Sequence, residues 1–202
     1  DQTRGQRAFA AARELLRLDE SPCEALLLVE FFDDDGDHLA ALEAKGLGVR
    51  SLMLRHAAQQ ELVWSLRRAG LSLLTSRAGP AKPVSGLEDV CVRPEQLPAY
   101  VEGLTEIMGR LGLEASYYGH AASGELHVRP VLDLHEVGDL EKLRHVAGEV
   151  SGLCREFKGS LAAEHGVGIE KRDLMTTQFD KVDLDQQMAV KTAFDPQWLL
   201  NP

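Results

Sequence analysis

The segment Tyr118-Gly119-His120-Ala121-Ala122-Ser123-Gly124-Glu125-Leu126-His127 constrains this chain more than any other. A Ser-Gly turn signal sits between two runs of strand length, so the pattern predicts an antiparallel hairpin over 114–118 and 125–132. If Ser123 and Gly124 are the two central turn residues, Ala122 faces Glu125, Ala121 faces Leu126 and His120 faces His127. Directly opposed residues have Cβ atoms about 4.5–5.5 Å apart. Two imidazoles so placed share a face and can share one metal ion. The alternative is two surface histidines that merely flank a turn.

A hairpin must bury one of its faces. Residues 139–157 predict the helix that covers it, because Leu140, Leu143, Val146, Ala147, Val150, Leu153, Cys154 and Phe157 recur at helical spacing. Upstream, Pro94 opens a helix running to about Leu111, and Gly86–Val92 reads as a strand. Nearer the start, residues 6–18, 37–47 and 57–69 read as helices. The apolar run 25–32 and the run Val49–Leu54 read as strands. Asp33-Asp34-Asp35-Gly36 reads as a turn; it lacks the later ligands of a calcium loop. A last helix is expected near 183–193. The order β-α-β-α followed by β-α-β-β-α predicts an α+β fold: an antiparallel sheet with helices packed on it, as two ferredoxin-like units in tandem. A soft boundary falls in the breaker-rich loop at 75–86.

A second group of reactive side chains lies in Ala163-Glu164-His165-Gly166-Val167-Gly168. Neighbours on extended chain point opposite ways, so Glu164 could bind a metal while His165 addresses something else, or the reverse. Two histidines and a carboxylate leave a coordination position open, as catalytic zinc sites do. A solvated turn is the plainer reading. Arg67, Lys82 and Arg129 are candidate anion binders, or else surface charges. His38, His56, His135 and His145 are expected at the surface. Trp64 and Trp198 read as packing residues. No dinucleotide, phosphate-loop, serine-elbow or CxxC motif occurs.

The net charge of −10 disfavours nucleic acid as a partner. No run approaches the roughly 18 apolar residues of a membrane span. Cys23, Cys91 and Cys154 are too scattered for a disulfide framework and read as buried free thiols in a reducing cytoplasm. The opening Asp1-Gln2-Thr3-Arg4 has no apolar leader, and the chain is expected to be a piece of a longer protein.

Gly119-His120-x-x-Ser123-Gly124-x-Leu126-His127 resembles a motif of the FAD-linked oxidases, the vanillyl-alcohol-oxidase-like family that includes D-lactate, glycolate and D-2-hydroxyglutarate dehydrogenases. Glu164-His165-Gly166-Val167-Gly168 and Phe194-Asp195-Pro196-Gln197-Trp198-Leu199-Leu200-Asn201-Pro202 are similar to two further motifs of that family. Trp64-x-x-Arg67 and the segment from Lys82-Pro83 to Glu88-Asp89 match in order and approximate spacing. The resemblance covers about residue 20 to 202 and implies a C-terminal cap domain, with the flavin domain upstream and absent from this chain. It implies an enzyme that oxidises a D-2-hydroxy acid to the 2-oxo acid with hydride transfer to FAD. It implies that His120, His127 and Glu164 bind a divalent metal, Zn or Mn. It also implies that His165 is the general base, that Arg67 and Lys82 clamp substrate carboxylates, and that Glu125 and Asn201 stand at cofactor positions. Implied partners are the upstream FAD domain, the small 2-hydroxy acid and a downstream iron–sulfur segment or quinone-type acceptor. The expected location is cytoplasmic, or peripheral to the inner membrane in the full-length enzyme. Three positions depart from the family pattern: Glu125 replaces an Asn, Ala163 a Gly, and Leu71 a hydroxyl residue. They leave open a non-catalytic binding module that retains the fold.

Overall fold

The computed structural model describes residues 2–20, 23–32 and 37–200. They form two compact units, Asp1–Leu73 and Leu74–Pro202. The predicted turn at Asp33–Gly36 and the candidate Asn201 lie outside the described residues. No helix among those described is long and apolar enough to cross a membrane.

The first unit holds helices α1 (Gln2–Leu15), α2 (Asp37–Ala44) and most of α3 (Ala57–Thr75). The strands expected at 25–32 and 49–54 are not formed. Leu27 is 72% exposed, Phe32 83% and Val49 90%. A strand needs a neighbour to take its backbone N–H and C=O groups, and neither run has a ladder partner among the described residues. The first of the two expected ferredoxin-like units is therefore not seen. Helix α3 also runs through Gly70 rather than stopping there: an isolated glycine costs a helix about 1 kcal/mol but does not end it.

The second unit carries the sheet. Strand β4 (Glu125–Leu132) is central and pairs antiparallel with β3 (Ala115–His120) on one side. On its other side lie β1 (Lys82–Pro83) and β2 (Leu87–Cys91), end to end. Helices α4 (Leu97–Arg110) and α5 (Val137–Glu156) cover one face. Tyr100, Leu104, Ile107 and Met108 of α4 meet Val146, Val150 and Cys154 of α5 over Leu126 and Val128 of the sheet. Each such aliphatic side chain contributes about 1.5–3 kcal/mol by burial. The helices and the hairpin thus follow the sequence pattern closely, and the α+β class holds.

Pro130 occupies a central strand although it has no N–H. Its carbonyl accepts from Val84 N at 2.9 Å, so its nitrogen faces the break between β1 and β2, where no ladder bond is lost. Two helices follow α5, the single-turn α6 (Met175–Gln178) and α7 (Lys181–Phe194), the latter capped by Asp180, which accepts from Asp183 N at 3.0 Å. Asp195 closes the chain's last turn by accepting from Leu199 N and Leu200 N, both at 2.9 Å. The Lys191 hydrogen bond and these two N–H groups hold its carboxyl down at about 2. The Lys191 ammonium also lies 5.3 Å over the Trp198 ring.

The hairpin register differs from the expectation by two residues. The loop is Ala121–Gly124, with Ala121–Ser123 in a single 3₁₀ turn and Gly124 left-handed at φ 71°. His120 therefore faces Glu125, and His127 faces Tyr118. Ser123 Oγ donates to His120 O at 3.0 Å, and Gly124 O accepts from Val92 N at 3.0 Å. These two bonds favour the longer loop. A two-residue shift preserves the faces, so both histidines stay on the side away from α4 and α5.

Gly119 is required by close approach: a Cβ there would lie 2.2 Å from Glu125 O. Gly119→Ala is expected to lower stability by about 1–3 kcal/mol through overpacking. Denaturant unfolding of the variant checks this, and an unchanged midpoint would contradict the register.

Candidate functional site

The site begins with an irregularity in β2. Leu87 pairs with Val128 and Val90 with Leu126, so one extra residue is inserted between them. This bulge puts the side chains of both Glu88 and Asp89 on the histidine face. Asp89 is the residue that absorbs it, at φ 65°; Asp tolerates this region better than most residues. Bulges are enriched beside active sites because they re-aim side chains.

Asp89 is fully buried and has three functions here. Its N–H donates to His127 Nδ1 at 3.1 Å. Its carboxylate accepts from Glu164 N at 2.7 Å and from His165 N at 3.1 Å. Its carbonyl accepts from Ala163 N at 3.0 Å. The segment after α5 is thereby laid along β2, with Ser160 bridging Cys91, and Glu164 and His165 arrive over His127. Lys171, also buried, stands 3.6 Å from Asp89 Oδ2 and donates to the carbonyls of Glu88 and Leu161. Burial pulls the Asp89 carboxyl up, but the two N–H donors and Lys171 outweigh it and hold it below its ordinary 3.8.

Around this frame the aromatic rings stack. Tyr118 lies on His127 with centroids 4.7 Å apart, and His127 on His165 at 5.3 Å. Tyr118 OH donates to Glu88 Oε1 at 2.7 Å, and Arg129 Nε also donates to that oxygen. Burial opposes ionisation of Glu88, yet the Arg129 and Tyr118 bonds win and keep its carboxyl below the usual range. Burial likewise pushes His127 below its ordinary 6.5 despite the nearby Glu125, leaving a neutral imidazole at pH 7.

His127 Nε2 lies 3.0 Å from Glu125 Oε1 and 3.9 Å from Glu164 Oε1, while His165 Nε2 is 3.3 Å from the same Glu164 oxygen. His127 and Glu125 are almost wholly buried, whereas the Glu164 and His165 side chains are half exposed, at 51% and 53%. Ligand atoms of His127, Glu164 and His165 lie within 4.8 Å of one another, and so do those of His120, Glu125 and Glu164. Glu164 belongs to both groups; the two hairpin histidines fall one in each.

These residues suit a divalent cation. Two carboxylates and three imidazoles converge, and Glu125 Oε1 is buried with no hydrogen-bond partner among the described residues. One feature bears on which nitrogen can bind. Because His127 Nδ1 accepts from Asp89, a neutral ring carries its proton on Nε2, the nitrogen that faces the carboxylates. For that nitrogen to hold a metal, the proton would have to move to Nδ1 and the Asp89 N–H bond there be given up.

The remaining candidates are dispersed. Lys82 is in β1 and donates to Arg77 O. Arg129 is committed to Glu88 rather than free for an anion. Arg67 is on α3, in the first unit. His38, His56, His135 and His145 are exposed, as expected. Of the cysteines only Cys154 is fully buried, its thiol pushed up to about 12 by burial; Cys91 is half-buried and Cys23 exposed. A cavity of about 610 Å³ lies beside Arg129, lined also by Gly86, Leu143, Arg144 and Glu170, but the histidine cluster does not line it. Tyr118, Glu88 and Lys171 were not singled out in the sequence as members of the site. The adjacent acidic pair Glu88-Asp89 inside an apolar strand was the available signal.

The family model for the FAD linked oxidases, C-terminal domain, matches residues 2–202. This chain belongs to that family. Among similar proteins, the FAD-linked oxidase C-terminal domain described here is 34% identical to the D-2-hydroxyglutarate dehydrogenase of Haemophilus influenzae over 143 residues, 70% of this chain and 14% of that protein. It is 36% identical to the glycolate oxidase subunit GlcD of Escherichia coli over 106 residues, 52% of this chain and 21% of that protein. The GlcD subunit of Bacillus subtilis is 28% identical over 185 residues, 89% of this chain and 38% of that protein. This FAD-linked oxidase domain thus spans only a fraction of the length of the relatives it matches.

Proposed function

We propose that this chain is the substrate-binding cap of a FAD-dependent dehydrogenase that oxidises a D-2-hydroxy acid to the 2-oxo acid. FAD, held mainly by an upstream domain of the same polypeptide, would accept the hydride. The observation that carries this reading is that His120 and His127 share one sheet face, with Glu164 within ligand distance of each and His165 beside it, in a family defined by FAD linkage. The names of the relatives, D-2-hydroxyglutarate dehydrogenase and glycolate oxidase, favour a 2-hydroxy acid as substrate.

In this reading His120, His127 and Glu164 hold a divalent ion, Zn or Mn. Such an ion supplies Lewis-acid polarisation of a bound hydroxyl and carboxylate. His165 is the group that takes the hydroxyl proton. Its half-exposed ring sits at the top of the Tyr118–His127–His165 stack, and its backbone is held by Asp89. The stack keeps the ring oriented while leaving it open to a ligand. Arg67 and Lys82 are assigned to substrate carboxylates, and Asn201 to the flavin side.

Anaerobic mixing of the complete polypeptide with D-lactate, glycolate or D-2-hydroxyglutarate is expected to bleach the flavin absorbance. The His120→Ala, His127→Ala double variant is expected to slow that bleaching by at least about 100-fold. Equal rates for the two proteins would refute the metal assignment. No bleaching with any 2-hydroxy acid would favour a non-catalytic module.

A further inference from the structure

We propose that Glu125 is itself a ligand of the divalent cation, giving a site with two carboxylates that favours Mn2+ relative to an imidazole-dominated site. This rests on the cation site of the preceding reading and adds a residue to it. Glu125 stands directly opposite His120 in the hairpin register. Its oxygen is grouped with the ligand atoms of His120 and Glu164, all within 4.8 Å.

The unpartnered oxygen of Glu125 is what requires an explanation. The residue is 4% exposed, and its Oε1 has no hydrogen-bond partner among the described residues. A buried polar oxygen left without a partner is costly. His127 Nε2 approaches to 3.0 Å, but off the line of its N–H, so no hydrogen bond forms. The two cations nearest among the described residues are engaged elsewhere, Arg129 with Glu88 and Lys171 with Asp89 and two carbonyls. A bound cation would give that oxygen its partner, with His120 and Glu164 beside it to complete the ligand set.

The donor set also bears on which ion. Carboxylate oxygens suit Mn2+ and Mg2+, while imidazole suits Zn2+. Replacing Glu125 by a neutral group of the same shape therefore removes more affinity for Mn2+ than for Zn2+. A different result is expected for the metal-free protein. There the substitution gives up no hydrogen bond at Oε1 and leaves the melting temperature unchanged.

The experiment is titration of the complete polypeptide with MnCl2, followed by loss of the free Mn2+ electron paramagnetic resonance signal, and with ZnSO4 by calorimetry. Glu125→Gln is expected to weaken Mn2+ by at least about tenfold and Zn2+ by less, without lowering the metal-free melting temperature. His120→Ala, at an exposed position, is the reference for the site as a whole. If His120→Ala weakens binding and Glu125→Gln does not, the cation site stands and the role of Glu125 falls. If wild type binds neither ion, or both variants bind like wild type, the cation site and this inference fail together. A Glu125→Gln variant with a lowered metal-free melting temperature would make Glu125 a structural residue and overturn the proposal.

Discussion

Replacing His165 with alanine in the complete polypeptide is expected to lower kcat by about 10²–10⁴-fold, the usual worth of a positioned general base. The motivation is geometric. His165 is the one histidine of the stack with a half-exposed ring, while His127 beneath it is buried and already engaged at Nδ1. The side chain is half exposed, so FAD content, the flavin spectrum and the melting temperature are expected to stay within error. The rate of flavin reduction under single-turnover conditions is the measurement. A rate within about twofold of wild type would remove His165 from proton transfer and leave it as a wall of the site.

Asp89→Ala is expected to have the largest effect on stability. Both Asp89 and Lys171 are buried, at 1% and 5% side-chain exposure. Breaking a buried pair by deleting one partner costs about 3–5 kcal/mol, because the other charge is stranded. For a chain of this size that corresponds to a fall in Tm of about 6–20 °C. The same substitution releases the N–H groups of Glu164 and His165, so turnover is expected to fall as well. A second change separates the two effects. Lys171→Met added to Asp89→Ala removes the stranded charge and is expected to recover part of the Tm but none of the turnover. A double variant no more stable than the single one would show that the pair is not what Asp89 maintains. The pH dependence has a definite sign. The Asp89 carboxyl is held below 3.8 in the fold, so its stabilisation is fully present above that value and is lost as pH falls through the depressed one.

Much of the second unit was legible in the sequence. The stripe from Leu140 to Phe157 dictated α5, Pro94 announced the turn into α4, and the Ser-Gly signal gave the hairpin, because all three are local patterns of period or turn chemistry. The apolar runs at 25–32 and 49–54 were equally strong by composition yet formed no strand, since a ladder depends on a partner that composition does not reveal. The hairpin register was off by two residues for a related reason. Gly124 was recognised as a turn glycine, but its carbonyl bond to Val92 and the Ser123–His120 contact belong to the assembled sheet.

The sequence alone determined the chemical inventory: two hairpin histidines, a Glu-His pair between glycines, and the motifs that place the chain among FAD-linked oxidases. Side-chain types are written in the chain, and a two-residue register error leaves both histidines on one face, so that inventory survived. Only the tertiary structure decided how the inventory is held. The bulge at Glu88-Asp89, the buried Asp89 that ties His127 to the Glu164–His165 segment, and the unpartnered oxygen of Glu125 depend on residues distant in sequence; Asp89 and His127 are 38 positions apart, Asp89 and His165 76. Whether a buried carboxylate finds donors, a counter-charge or neither is set by every element packed around it, and no local pattern encodes that.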